Sequence, residues 1–198
     1  MHGLPWPYAP AVIRMATAGD AAAVARIYDP IVTGTVISFE LDPPGPAEMR
    51  RRIVQALAFA PWLVDESEGA VRGYAYASRH RERAAYQWSV DVTVYVDEAH
   101  RRKGVGGGLY KKLFALLRLQ NFHAAYAGIT LPNAASVGLH QALGFLPVGV
   151  YRGVGYKLGA WHDVGWWQLD LRARAEPSRP KTMAEAESDP AWAEVLGK

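Results

Sequence analysis

A carboxylate, Asp91, stands near the head of a β-branched run that ends at Val96, and a glycine-rich segment follows: Arg101-Arg102-Lys103-Gly104-Val105-Gly106-Gly107-Gly108. A glycine in a helix costs roughly 0.5–1 kcal/mol relative to alanine. Gly106, Gly107 and Gly108 in a first helical turn therefore need a compensating role, and close backbone approach to an anion supplies one. The first amide N–H groups of a helix have no intrahelical partner, and the helix dipole favours negative charge beside them. Arg101, Arg102 and Lys103 add cationic charge at the same place. The segment lacks both the Gly-Lys-Ser/Thr ending of a Walker loop and the G-x-G-x-x-G spacing of a dinucleotide site. It reads as a cradle for a phosphate or pyrophosphate; the plainer alternative is a flexible turn. Asp91 then reads as a proton acceptor on the same ligand, or more plainly as a strand-edge carboxylate in a salt bridge.

Periodicity indicates the elements that position these groups. Residues 12–15 read as a short strand, and Thr17 with Asp20 matches a capping-box spacing. Val24, Ile27, Tyr28 and Ile31 fall at helical spacing, with Pro30 predicting a kink or an end near Asp29. A proline-rich break at 43–46 precedes a helix over 47–59, and 62–66 with 71–78 reads as a hairpin. Residues 86–96 have strand character. Leu109, Leu113, Leu116 and Leu117 mark the core stripe of a helix that ends near Gln120. A strand over 124–130, a helix from Asn133 stopped by Gly144, and strands over 146–151 and 161–171 complete the order. Because parallel neighbours need a helical crossover, strand 124–130 is expected beside strand 90–96. The fold class is α/β, a central mixed sheet flanked by about four helices. The folded domain is expected over 11–172, with a flexible leader over 1–10. A tail is expected over 173–198, with a marginal helix over 191–196.

With 198 residues, half of them hydrophobic and about a fifth charged, the chain reads as one globular domain. A net charge of +3 spread over broken clusters gives no aromatic-interleaved basic stripe, so nucleic acid is not an expected partner. There is no cysteine, hence neither a disulfide framework nor thiolate chemistry. No segment reads as a secretory signal or a membrane span, so a cytoplasmic protein without a membrane partner is expected.

Arg101-x-x-Gly104-x-Gly106 after a Val-Tyr-Val strand resembles the acyl-CoA pyrophosphate loop of the GCN5-related N-acetyltransferase (GNAT) superfamily. Pro132-Asn133 and, further on, Leu143-Gly144-Phe145 resemble the asparagine-bearing helix and following turn of that superfamily. Segments 86–91, 153–159 and 161–169 are similar to those of phosphinothricin and methionine sulfoximine N-acetyltransferases. The resemblance covers about residues 11–171.

It implies direct transfer of acetyl from acetyl-CoA, without a metal, to the α-amino group of a phosphinothricin- or methionine sulfoximine-like amino acid. An amine that is largely protonated near neutral pH must lose a proton first. The subfamily carries a glutamate for this where Asp91 stands, a residue one methylene shorter. His140 aligns with a histidine used near the acetyl group; taken alone it is a satisfied helix histidine. The resemblance assigns CoA to Val94, Tyr95, Val96, Arg101, Arg102, Lys103, Gly104, Val105, Gly106, Gly107, Asn133 and Ser136. Arg81 and Arg83 are the expected carboxylate clamp, or else solvated arginines. Phe39, Tyr86 and Trp88 are the expected apolar wall. Trp161, Trp166 and Trp167 are expected in the core or at the interface of a homodimer. Two alternatives stay open: a different amine, such as a polyamine or a protein N-terminus, and a non-catalytic acyl-CoA-binding module.

Overall fold

The computed structural model of the chain describes residues 11–197; the leader expected over 1–10 lies outside them. Seven strands form one sheet: β1 Val12–Met15, β2 Trp62–Ser67, β3 Ala70–Arg79, β4 Ser89–Val96, β5 Ala124–Leu131, β6 Leu146–Lys157 and β7 Ala160–Asp170. They lie in the order β1-β2-β3-β4-β5-β7-β6, and every neighbouring pair is antiparallel except β4 and β5. The helices are α1 Ala21–Gly34, α2 Gly45–Leu57, α3 Val105–Leu119, α4 Ala134–Ala142, α5 Met183–Glu187 and α6 Pro190–Leu196. The class is the expected one; the described residues hold six α-helices where about four were anticipated.

Strand alternation divides the interior in two. Ala75, Ala77, Val90 and Val92 face α3, while Trp62, Val64 and Tyr74 face α1 and α2. Residues paired across an antiparallel ladder share a face, so Asp91, opposite Ser78, lies on the α1/α2 side with Tyr74, Tyr76 and Tyr95. On the other side α3 is the crossover from β4 to β5. Its first turn sits tight on the sheet at Gly73, where a Cβ would come within 2.9 Å of both the Tyr95 carbonyl and the Val105 side chain.

Two expectations are corrected and one is narrowed. Of a kink or an end at Pro30 the end is excluded, because helix α1 runs on to Gly34. Proline removes the N–H that would reach the carbonyl four residues back, but Ile31 and Val32 beyond it are buried, and that burial carries the helix on. Strand β6 extends to Lys157, twice the predicted length, with Gly153 at φ 52° bending an irregular register between Tyr151 and Gly155. The supposed tail folds back. Met183, Ala186, Trp192 and Leu196 are buried in the α3-side core, which makes α5 and α6 part of the domain. Among the described residues no helix is long and apolar enough to cross a membrane.

Candidate active site

The parallel pairing of β4 with β5 is short: Ser89 with Ala124, Val90 with Ala125, and Asp91 with Tyr126. Beyond those positions the strands part. Strand β4 keeps β3 on its far side up to Val96, and β5 keeps β7 up to Leu131. A cleft therefore opens in mid-sheet with Asp91 and Tyr126 at its vertex, and the β5-facing edge of Val94, Tyr95 and Val96 lies along it.

At the vertex, Asp91 Oδ1 lies 2.6 Å from His80 Nδ1. The His80 ring stacks on Tyr126 at 4.4 Å, with Tyr86 and Trp166 edge-on at 6.1 Å each. The two side chains are 13% and 27% exposed for His80 and Asp91. Burial pushes the Asp91 carboxyl above its ordinary value, while the His80 bond and the charge of Arg81 oppose that rise. A cavity of about 400 Å³ adjoins on the α1/α2 face, lined in part by Tyr28, Arg52, Trp62, Tyr76 and Ser78. Ser78 is the cross-strand partner of Asp91 and Tyr76 that of Thr93, so the cavity flanks the carboxylate.

The foot of the cleft is the mouth of α3. Arg102 at φ 59° and Gly104 at φ 82° turn the chain into the helix. Gly108 makes a helical bond back to Gly104, and the amides of Val105, Gly106 and Gly107 precede it at the open end. Arg101, Arg102 and Lys103 are exposed there. At Gly106 a Cβ would only touch the Leu139, Val96 and Val94 side chains at 3.4–3.8 Å. Gly104 is the glycine whose backbone conformation a side chain would strain.

Asn133 caps α4 by accepting the Ser136 amide at 3.1 Å. The same helix carries His140 inward. His140 is 3% exposed, with Nδ1 at 2.8 Å from the Ser136 carbonyl and Nε2 at 3.2 Å from the Tyr110 hydroxyl. Burial lowers its pKa. A neutral ring that donates from Nδ1 and accepts at Nε2 satisfies both contacts. It ties α4 to α3.

The substrate-side expectations divide. Tyr86 faces His80, and Phe39 packs so closely on Gly155 that a Cβ there would collide with its ring. Trp88 is turned away from any such wall, its indole donating to the Ser178 carbonyl at 2.8 Å. Arg81 and Arg83 are exposed, and neither lines the cavity. Arg81 lies 5.9 Å from the Trp166 ring. Trp167 is core, and Trp161 is 68% exposed. Sequence reasoning did not single out His80 or Tyr126, and it expected Trp166 in the core or at an interface, not beside His80. His80 was hidden in an arginine cluster, and only the cross-strand register brings it to Asp91.

An open helix N-terminus and a largely buried carboxylate thus lie at opposite ends of a splayed parallel pair. The acetyltransferase (GNAT) domain model matches residues 13–166. Phosphinothricin N-acetyltransferase of Streptomyces viridochromogenes is 44% identical over 175 residues, covering 87% of this chain and 96% of that protein. The L-methionine sulfoximine/L-methionine sulfone acetyltransferase of Salmonella typhimurium is 36% identical, covering 83% and 97% respectively. A crystal structure of a GNAT superfamily phosphinothricin acetyltransferase from Sinorhizobium meliloti in complex with acetyl-CoA superposes with a TM-score of 0.80 at 34% identity, covering 85% of this chain and 93% of that one. The chain belongs to the GNAT acetyltransferase family. It is an acetyl-CoA-dependent N-acetyltransferase.

Proposed function

We propose that the chain acetylates the α-amino group of a phosphinothricin- or methionine sulfoximine-like amino acid by direct attack of the amine on the thioester. The observation that carries this is the position of Asp91, at the vertex of the cleft and beside the 400 Å³ cavity. The names of the relatives above point to the same substrate class.

The residues present fit acetyl-CoA, which supplies the activated acetyl group. The amides of Val105, Gly106 and Gly107, with Arg101, Arg102 and Lys103, would hold the pyrophosphate on the positive end of α3. The free edge of Val94–Val96 would accept the pantetheine arm as an added strand, while Asn133 and Ser136 fix the start of α4 across the cleft. Asp91 stands on the receiving side for the amine proton. Phe39 and Tyr86 border the substrate, and Arg81 and Arg83 would meet its carboxylate from the exposed loop. A homodimer is part of this reading, because β6 leaves Leu146, Val148, Val154 and Tyr156 exposed along the outer edge of the sheet.

The test is thiol release from acetyl-CoA with a panel of phosphinothricin, methionine sulfoximine, other amino acids, polyamines and peptide N-termini. The expected result is a kcat/KM at least about tenfold higher for the first two, with KM for them raised by Arg81→Ala or Arg83→Ala. Preference for amines without a carboxylate points to the other-amine alternative. CoA binding without turnover on any amine points to a binding module.

A further inference from the structure

We propose that the amine proton is received by His80 and that Asp91 holds His80 in position, the two acting as one base. This rests on the acetyl-transfer reading above. The 2.6 Å contact commits Asp91 Oδ1 to His80 Nδ1. A carboxylate accepts only, so Nδ1 carries the hydrogen, and in the neutral ring Nε2 keeps its lone pair. Among the described residues Nε2 makes no protein hydrogen bond, in contrast to the Nε2 of His140, which meets Tyr110 at 3.2 Å.

The ring is also fixed in direction. Tyr126 lies flat against it at an interplanar angle of 17°, and Tyr86 and Trp166 close its sides. Three different elements thus hold one imidazole at the point where β4 and β5 begin to part. A carboxylate with a short side chain has limited reach, and the ring extends that reach by its own width. The arrangement is the orienting carboxylate and base of a hydrolytic triad without its nucleophile. The charged and titratable groups around the pair are Arg81, whose guanidinium donates to the His80 carbonyl at 2.7 Å, and the hydroxyls of Tyr86 and Tyr126.

The protons balance as follows. The ammonium group gives one proton to His80 Nε2, leaving an imidazolium paired with the Asp91 carboxylate. The free amine forms the N–C bond as the C–S bond breaks, and its nitrogen loses a second proton. The departing thiolate takes up one proton, and His80 returns the other to water.

The experiment uses the whole chain, with His80→Gln and Asp91→Asn, each checked for native acetyl-CoA binding. In the free wild-type protein, long-range ¹H–¹⁵N correlation is expected to show neutral His80 as the Nδ1–H tautomer, a preference lost in Asp91→Asn. His80→Gln is expected to lower kcat by about 100-fold, with KM for acetyl-CoA within about threefold of wild type and the low-pH limb of the kcat profile abolished. Wild-type kcat and limb retained in His80→Gln, or an Nε2–H tautomer in the wild type, overturns the proposal. A wild type that turns over no amine sinks the acetyl-transfer reading and this one together, whereas turnover indifferent to His80 sinks this one alone.

Discussion

Asp91 illustrates how burial makes a functional group costly to the fold. Its carboxyl is raised mainly by desolvation, so the folded chain binds that proton more tightly than the unfolded chain does. The stabilising contribution is complete below the unfolded value of about 4 and is lost as pH rises through the folded one. Asparagine has no such titration. Asp91→Asn is therefore expected to be at least as stable as wild type at pH 7, with the difference between their urea midpoints closing as pH falls toward 4, while its activity drops. A variant clearly less stable at neutral pH would mean that the hydrogen bond with His80 is chiefly structural. Two histidines show what a sequence can and cannot reveal at this scale. His140 was singled out by its position in a resembling motif, and the structure ties its two nitrogens to Ser136 and Tyr110. His80 sits eleven residues from Asp91 in sequence, and nothing in the local pattern distinguishes it from its arginine neighbours. Its environment comes from β4, β5 and β7 together, which no short window contains.

Elements were legible where periodicity was local. The leucine stripe of α3, the capping box at Thr17 and Asp20, and the parallel placement of β5 beside β4 all follow from spacing or from the crossover rule. Strand β6 was legible only in its first half, because Gly153 and Gly155 interrupt the β-branched pattern and the register slips between Tyr151 and Gly155. The complete strand matters for the proposed substrate wall, since its far end packs on Phe39. Lys157 is buried with its ammonium on the carbonyls of Val32 and Ser38, and Gly155 gives Phe39 its place. An outer strand with so many exposed apolar side chains calls for cover. If a second copy supplies it, sedimentation at micromolar concentration shows a dimer, and Val148→Glu with Val154→Glu shifts it to monomer. Substrate KM should rise with that shift, because the strand that positions Phe39 loses its support. A wild type that sediments as a monomer at those concentrations removes the dimer from the proposal.

At the scale of the molecule, residues beyond 172 carry the largest difference between expectation and structure. Their composition, rich in Ala, Glu, Pro and Ser, lacks the long apolar period that marks a core helix. Two helices of 5 and 7 residues need only a few anchors each; the second was legible over 191–196, while a window tuned to longer elements passes over the first. Those anchors are Met183, Trp192 and Leu196, packed in the same core as the α3 leucines. The segment leading to them is fastened as well. Trp88 and Asn121 donate to the Ser178 and Arg179 carbonyls, and the Lys181 amide donates to the Gln120 carbonyl at 2.8 Å. Burying a large apolar side chain is worth about 1.5–3 kcal/mol, so the three anchors contribute about 5–9 kcal/mol as an upper estimate. That is comparable with the whole stability of an ordinary domain, about 5–15 kcal/mol. Ending the chain at residue 172 should therefore give protein that is insoluble or unfolded at 25 °C. Trp192→Ala alone should lower stability by about 3 kcal/mol in urea unfolding. A genuine tail would behave otherwise, with truncation leaving the melting temperature within a degree or two of the full chain. Because Gln120 and Asn121 end α3 and Trp88 immediately precedes β4, loosening this segment should also weaken acetyl-CoA binding before the sheet itself unfolds.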